Sequence, residues 1–408
     1  MIAAVRALRP PGDLKLFGLA ILLAFAGAAM IYSAGQVEVP SVATGVWRRQ
    51  LVWLVLAIIA FLTVSRIPLR WLDWAAVWLY AASIVLLVIV LLFGTGPNTR
   101  SWLYIGPLGM QPAELAKLAT ILLLARTFSS YRGELSRLSQ LVRPVLIVLV
   151  PVGLVALQPD LGSALVFGAI LIAALFWAGV PMATLFMLVS PGISLLLGFS
   201  PVVWGIWFLA LAVFLYLYRP FAAEGILVLL ANVAAGALTL PFWRSLAPYQ
   251  QNRLVVFLDP GVDPRGAGWH LIQSKVAIGS GGWFGQGFAD GPQKRLAFLP
   301  EQHTDFIFSV IGEELGFFGV ALVLVLLGLF LRRVLGVARS TEDSFASITV
   351  FCLFAVWFSH LIINVGMTVG LMPITGLPLP FLSYGGTFLL MLFVGLAIVA
   401  RASAESGA

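Results

Sequence analysis

The chain is divided into apolar stretches long enough to cross a bilayer, and little else can be built from them. They begin near Leu14, Val52, Trp74, Ala113, Val142, Ser163, Met182, Val202, Gly225, Phe306, Ala346 and Leu382. Runs of about twenty apolar residues read as membrane-spanning helices. The expected fold is an all-α integral membrane protein, a polytopic bundle of ten to twelve transmembrane helices, with residues 1–408 forming one membrane domain. Three spans are expected between Met182 and Trp243. Ser190, Pro191, Gly192 and Pro201 interrupt them, which leaves a re-entrant pair as an alternative.

Composition agrees. Of the 408 residues, 61% are hydrophobic and 10% charged, against about 25% charged in soluble domains. Cys352 is the single cysteine, which excludes an intramolecular disulfide. The net charge of +7 is no nucleic-acid signature, because the basic residues lie between apolar runs, where topology accounts for them. Arg6, Arg9 and Lys15 precede an apolar run long enough to span, so it reads as an uncleaved first helix.

Those basic residues set the orientation. With the N-terminus inside, the inner segments hold fourteen, namely Arg6, Arg9, Lys15, Arg66, Arg70, Arg126, Arg132, Arg137, Arg143, Arg219, Arg332, Arg333, Arg339 and Arg401. The short outer loops hold three, Arg48, Arg49 and Arg100. Both termini are then cytoplasmic. Residues 244–305 form a large extracytoplasmic loop.

Asp259 to Asp305 is the polar exception in the chain. It contains five of the seventeen acids and two of the three histidines. Its Gly and Pro punctuation, mixed with Trp, Phe, Ile and Leu, reads as a folded loop. The segments RSWLYIGPLGMQPAE, LQPDLG and GLMPITGLPLPFLSYGG fall on the same outer face. Ser129 to Gln140 reads as a surface segment on the inner one. The convergence points to a site at the outer membrane–water boundary. No phosphate-binding glycine loop in the P-loop or dinucleotide pattern follows a strand.

In order along the chain, RSWLYIG, QPAELAKL, LQPDLGSA, DPRGAGWHLIQSKVAIGSGG, FLPEQHTDFIFSVIGEELG and GLPLPFLSYGG resemble the SEDS family (shape, elongation, division and sporulation), which includes RodA and FtsW. GAGWHLIQSKVAIGSGG is more similar to the RodA branch. The resemblance implies a peptidoglycan glycosyltransferase that polymerises lipid II into glycan strands and releases undecaprenyl diphosphate. It implies a class B penicillin-binding protein as partner, with elongation-complex membrane proteins and membrane lipid. No nucleic acid is implied. Family members usually have ten spans, so 182–243 reads as an extra helix pair plus one family helix. An even number of additions keeps the polar loop outside.

Sugar transfer from a diphosphate donor to a hydroxyl needs a base, cations for the leaving diphosphate and a groove that admits lipid. The resemblance makes Asp263 the base. Pro264, Gly266 and Gly268 around it suit close approach to a substrate. Read from residues alone, Asp-Pro is a turn or helix-start signal, and Asp259 is taken that way. Glu114 and Lys117 lie three apart on one helix face near the outer end of a span. The resemblance places Lys117 at the diphosphate and Glu114 as its orienter or a sugar ligand. The alternative is an ion pair that fixes helix packing.

Arg100 and Trp102 would line the cavity rim, although an interfacial tryptophan is commonly an anchor. Gln273, Ser274 and Lys275 offer a cation and hydrogen bonds to a diphosphate. Lys294 and Arg295 add charge that could hold the diphosphate too, but ordinary solvated loop charges are the preferred reading of both. His303 and Asp305 are candidate substrate ligands, Thr304 or Asp305 a candidate helix cap. Glu314 lies within a span and calls for a functional reason. His360 and Asn364, four apart, read as a packing device. Ser383 is a further candidate substrate ligand. It has no histidine–acid arrangement for hydrolase chemistry, and Gly385 and Gly386 suit close helix approach. No metal site is read, the spacing of His303 and Asp305 being unconvincing. A magnesium or manganese ion on the diphosphate is chemically reasonable. The competing functions are a lipid-precursor flippase, which would need polar residues through the midplane and repeated halves, and a non-enzymatic scaffold that activates a penicillin-binding protein.

Overall fold

The structure is a computed structural model that describes residues 13–38, 42–96, 100–105, 108–131, 133, 135–264 and 266–406. Arg6, Arg9 and Arg132 of the orientation count lie outside the described residues.

A helix forms at each of the twelve apolar stretches. In chain order these are α1 (Leu14–Ala34), α2 (Val46–Val64), α3 (Leu69–Phe93), α4 (Pro112–Ser129), α5 (Val142–Ala156), α6 (Leu161–Trp177), α7 (Met182–Leu197), α8 (Pro201–Tyr218) and α9 (Ala222–Ser245). After three short helices come α13 (Ile307–Ser340), α14 (Ser344–Val369) and α15 (Gly386–Glu405). Among the described residues, nine helical segments are long and apolar enough to cross a membrane. Helices α6 and α7 are apolar but shorter. Helix α4 has the length but carries Glu114, Lys117 and Arg126. A hairpin, β1 (Leu103–Ile105) with β2 (Leu108–Met110), leads into α4.

Local chemistry sets the ends. The Asp13 carboxylate accepts from Lys15 N and Leu16 N to start α1, and Asp343 accepts from Ala346 N to start α14. Pro112 opens α4, where its missing N–H costs nothing. Gly370 stops α14 with φ +80°, a conformation open to glycine.

The chain folds as two compact units. One holds Met1–Tyr131, Ile147–Ala174 and Arg253–Ala408. In it α15 packs on α2, α4 lies against α3 and α14, and α13 packs on α14 and α1. Helices α14 and α15 are buried over most of their length, with Phe330, Phe381 and Phe393 filling the core. The other unit holds Arg132–Leu146 and Leu175–Asn252. There α7, α8 and α9 pack on one another around Met187, Leu211, Leu215 and Val228. A buried polar clasp ties the three: Ser194 Oγ donates to Asn232 Oδ1 at 2.6 Å, Asn232 Nδ2 to Ser190 Oγ at 2.8 Å, and Trp207 Nε1 to Ser194 Oγ at 3.0 Å. Such bonds hold helices together where lipid removes the hydrophobic drive. Helix α7 runs on through Pro191 without a break.

Helix α10 (Pro248–Leu258) precedes the polar stretch, which folds into α11 (Ala267–Ser280), α12 (Pro292–Arg295) and turns. Helix α13 is broken at Gly316, whose φ is +62°. The glycine-rich turn 282–287 fills that break. Gln286 N donates to Glu313 O at 2.9 Å, Gly287 N to Glu314 O at 3.1 Å, and Phe317 N to Gly282 O at 2.9 Å. A Cβ on Gly285 would collide with the Glu314 carbonyl, so the turn's close approach requires glycine.

Two expectations for this stretch are corrected. Lys294 is not a solvated loop charge. It is fully buried, 2.5 Å from the Glu314 carboxylate, and donates to Ser33 Oγ at 2.6 Å and Ser33 O at 2.8 Å. Its ammonium finds an acid in the α13 span and two oxygens of Ser33 on α1. Neither Thr304 nor Asp305 caps α13. The N-cap position is Phe306, and Thr304 Oγ1 donates back to Glu301 O at 3.2 Å. Arg295 does stay at the surface, paired with Glu38 at 3.1 Å.

Candidate functional site

The first unit sorts its polar residues to two ends. At one, Asp13, Lys15, Arg333 and Ser403 line a shared cavity, Arg333 donates to Asp13 Oδ2 at 2.9 Å, and Leu69 N donates to Glu405 Oε1 at 3.3 Å. The other end gathers the motif loops. Gln111 Nε2 donates to Asp160 Oδ2 at 3.0 Å, joining QPAE to LQPDLG. Thr387 Oγ1 donates to Gly109 O at 3.1 Å, and a Cβ on Gly162 would stand 2.7 Å from Thr375 O.

Glu114 and Lys117 lie at this end of α4, both buried, with Lys117 Nζ 2.5 Å from Glu114 Oε1. Pro112 at the helix start puts Glu114 in the first turn, where the helix dipole favours an anion. The pair lines a small cavity with Trp357, Phe388 and Met391. Phe388 of this cavity is also stacked on His360 of α14, with ring centroids 4.6 Å apart. His360 and Asn364 do not bond each other. His360 Nδ1 donates to Pro378 O at 3.0 Å, and Asn364 Nδ2 to Leu377 O at 2.8 Å and Asp305 O at 2.9 Å.

The carbonyls of His303, Thr304 and Asp305 are engaged in sequence: His303 O accepts from Tyr384 N at 2.9 Å, Thr304 O from Ser383 Oγ at 2.6 Å, and Asp305 O from Asn364 Nδ2. That fixes the backbone from which the His303 and Asp305 side chains project. His303 is buried, its ring 5.7 Å from that of Tyr384. Burial lowers its pKa, and the Glu301 carboxylate opposes the shift. Asp305 lies against Gly376, Oδ2 being 3.3 Å from where a Cβ would sit. Burial, with Glu301 nearby, pushes its carboxyl up to about 6, against the pull of Arg253. His270 shares these neighbours. Burial and Arg253 lower its pKa, and Glu301 raises it.

Asp263 follows a short turn, Pro260–Val262, that Asp259 caps through Gly261 N at 2.8 Å. Asp263 Oδ1 accepts from Gly266 N at 2.9 Å, and its carbonyl accepts from Gly268 N at 2.9 Å. The half-exposed carboxylate therefore also forms the turn into α11. Ser274 is buried, within 2.7 Å of Ser309 Oγ and donating to Thr368 O, and Ser383 Oγ accepts from Leu379 N besides its bond to Thr304. Both hydroxyls fasten helices and loops. Gln273 is half-buried and Lys275 exposed. A Cβ on Gly370 would stand 2.6 Å from Lys275 Nζ, so that ammonium lies at the C-terminal, negative end of α14. Arg100 is exposed, and Trp102 pairs through its backbone with Thr95 and packs over Gly109. Glu314 is committed to Lys294 and Ser33. The structure thus joins Glu114 with Lys117, the carbonyls of His303 to Asp305 with Ser383, and Glu314 with Lys294. Ser33, Tyr384 and His360 were not singled out as site residues by the sequence. Among the described residues, no group of three or more His, Cys, Asp or Glu side chains could hold a metal ion.

Residues 13–407 match the sequence profile of the FtsW/RodA/SpoVE family, described as cell cycle protein. Peptidoglycan glycosyltransferase RodA of Treponema pallidum (strain Nichols) is 36% identical over 393 residues, which cover 89% of this chain and 90% of that protein. Peptidoglycan glycosyltransferase MrdB of Escherichia coli (strain K12) is 34% identical over 384 residues, 93% of this chain and 91% of that protein. Among solved structures, one described as structural coordination of polymerization and crosslinking by a peptidoglycan synthase complex matches at TM-score 0.72 and 29% identity, covering 97% of this chain and 98% of that one. The crystal structure of Thermus thermophilus rod shape determining protein RodA matches at TM-score 0.64 and 27% identity, covering 97% of each chain.

Proposed function

We propose that this chain, which belongs to the FtsW/RodA/SpoVE family, is a peptidoglycan glycosyltransferase of cell-wall elongation that polymerises lipid II into glycan strands and releases undecaprenyl diphosphate. The relatives named for this activity match over about nine-tenths of their length. The observation in this molecule that carries the reading is the buried Glu114–Lys117 pair at the end of the bundle where the motif loops meet. A buried cation there is expensive without a task, and holding a leaving diphosphate is one.

In this reading Asp263 takes the proton from the acceptor sugar hydroxyl. The hydroxyl oxygen bonds to the donor's anomeric carbon as the bond from that carbon to the diphosphate breaks. Lys117 meets the charge that develops on the leaving group, and Glu114 orients Lys117. Arg100, Trp102, Gln273, Lys275, His303 and Asp305 contact the substrate around them. Ser274, Ser383 and Glu314 support the site through the bonds described above. A magnesium or manganese ion would be held largely by the diphosphate's own oxygens.

The basic end of the first unit is cytoplasmic and the motif end extracytoplasmic, in a bacterial inner membrane. The protein works beside a class B penicillin-binding protein, which cross-links the product. The likeness to a chain of a peptidoglycan synthase complex supports that assembly.

The test is gel-resolved polymerisation of labelled lipid II by the purified protein, with and without the partner, beside Asp263→Ala. Polymer from the wild type and none from the variant is expected. Polymer from both removes Asp263 as base. Polymer from neither, with the partner present, overturns the function.

A further inference from the structure

The two nitrogens of His360 are in different situations. The residue is fully buried on α14. Its Nδ1 lies 3.0 Å from the Pro378 carbonyl. A carbonyl only accepts, so Nδ1 carries a proton, and in the neutral ring Nε2 is then an acceptor. Among the described residues that buried Nε2 has no hydrogen-bond partner, an arrangement that calls for a donor nearby.

Lys117 can supply one. Its ammonium has three N–H groups, and Glu114 Oε1, at 2.5 Å, takes one of them. The imidazole is stacked on Phe388, with centroids 4.6 Å apart and planes 19° from parallel. Phe388 in turn lines a cavity of about 30 Å³ together with Glu114, Lys117 and Trp357, the last one helical turn before His360. A cavity of that size admits a single water.

We propose that His360 Nε2 is the acceptor that holds the Lys117 ammonium from the α14 side, directly or through one water in this cavity. His360 is then a positioning residue, acting on the leaving diphosphate through Lys117, and the proposal rests on the reading of Lys117 given above. Glu114 draws the ammonium along its own helix and His360 draws it across to α14, so the cation is fixed between two helices. Because Nδ1 is bound to Pro378, the same ring couples Lys117 to the loop of residues 371–385, which carries Gly376 beside Asp305 and Ser383 beneath Thr304.

A pure packing role would need only the Pro378 bond, and two substitutions separate the cases. The Asn amide reaches the position of Nδ1 and the Gln amide that of Nε2. In the full chain with its partner, His360→Gln is expected to turn over lipid II within about threefold of wild type, and His360→Asn to lose about thirtyfold in kcat at unchanged KM. The reverse order overturns the proposal.

A second readout does not depend on activity. The chain has three histidines, so isotopic labelling of histidine nitrogen gives few signals, and the His360 signal is the one lost in His360→Gln. The expected result is a ring protonated at Nδ1, whose Nε2 resonance shifts in Lys117→Met while those of His270 and His303 stay. Protonation at Nε2, or a resonance indifferent to Lys117→Met, overturns the contact whatever the enzyme does. Normal turnover by Lys117→Met would instead bring down the underlying reading of Lys117, and the positioning role with it.

Discussion

The Lys294 ammonium lies 2.5 Å from the Glu314 carboxylate with both side chains wholly buried. Ser33 of α1 bonds to both, so one polar knot joins α1, the short helix α12 and the α13 span just before its break. Removing one member leaves the other charge buried and alone, at about 3–5 kcal/mol. Lys294→Met should lower the melting temperature in detergent markedly, and Lys294→Met with Glu314→Gln should recover part of the loss. Equal melting of single and double variants would show the two residues to be uncoupled.

The break itself is testable. Gly316 has φ +62°, and a Cβ there would collide with Gly285 N. Backbone strain of this kind costs about 1–3 kcal/mol before the clash is counted. Gly316→Ala and Gly285→Ala should each reduce folded yield and melting temperature. Gly328→Ala is the control, since its Cβ would meet nothing within 4 Å. A control variant that melts like the other two would refute the role given to the turn 282–287.

Asp263 has two jobs to separate, because its Oδ1 also caps the turn through Gly266 N. An asparagine oxygen can accept the same bond and cannot act as a base. Asp263→Asn should keep the wild-type melting temperature and lose about 10²–10⁴-fold in polymerisation rate, the range for a general base. Comparable rates from Asp263→Asn and wild type would leave Asp263 as a turn residue.

Much of this was legible in the chain and some was not, for physical reasons. Twenty-residue apolar runs have few folds open to them, and helices formed at all twelve. The Glu114–Lys117 pair followed from a spacing of three on one helix. Lys294 was misread because its partners, Ser33 and Glu314, are remote in sequence and nothing local in GPQKRLA points inward. Gly316 sits in an apolar run where glycine is common, so the break was invisible until the turn that fills it was seen. Ser274 and Ser383 looked like free donors because their acceptors are backbone carbonyls of distant segments.

Asp305 sets a pH dependence. Its folded pKa of about 6 lies above the ordinary value of 3.8, raised first by burial and then by Glu301. The folded state therefore binds more protons than the unfolded one between those values, so this group's contribution is full below about 4 and lost as pH rises through 6. Asp305→Asn should flatten that fall in melting temperature, and be more stable than wild type at pH values above 6. An unchanged profile in the variant would remove Asp305 as its source, and His270 and His303 could not replace it, because their lowered pKa values make stability fall on acidification instead.

Lys117 bears most directly on the chemistry. Lys117→Ala removes the cation proposed for the leaving diphosphate and strands Glu114, which is only 6% exposed. Loss of polymer alone would therefore be ambiguous between catalysis and folding. Lys117→Met with Glu114→Gln removes both charges at near-constant volume, which buried pairs often tolerate. The double variant should melt near the wild type and yield no polymer, because a neutral site cannot hold the departing charge. Near-normal turnover of lipid II by either variant would take the diphosphate away from Lys117 and return the pair to a packing role in α4.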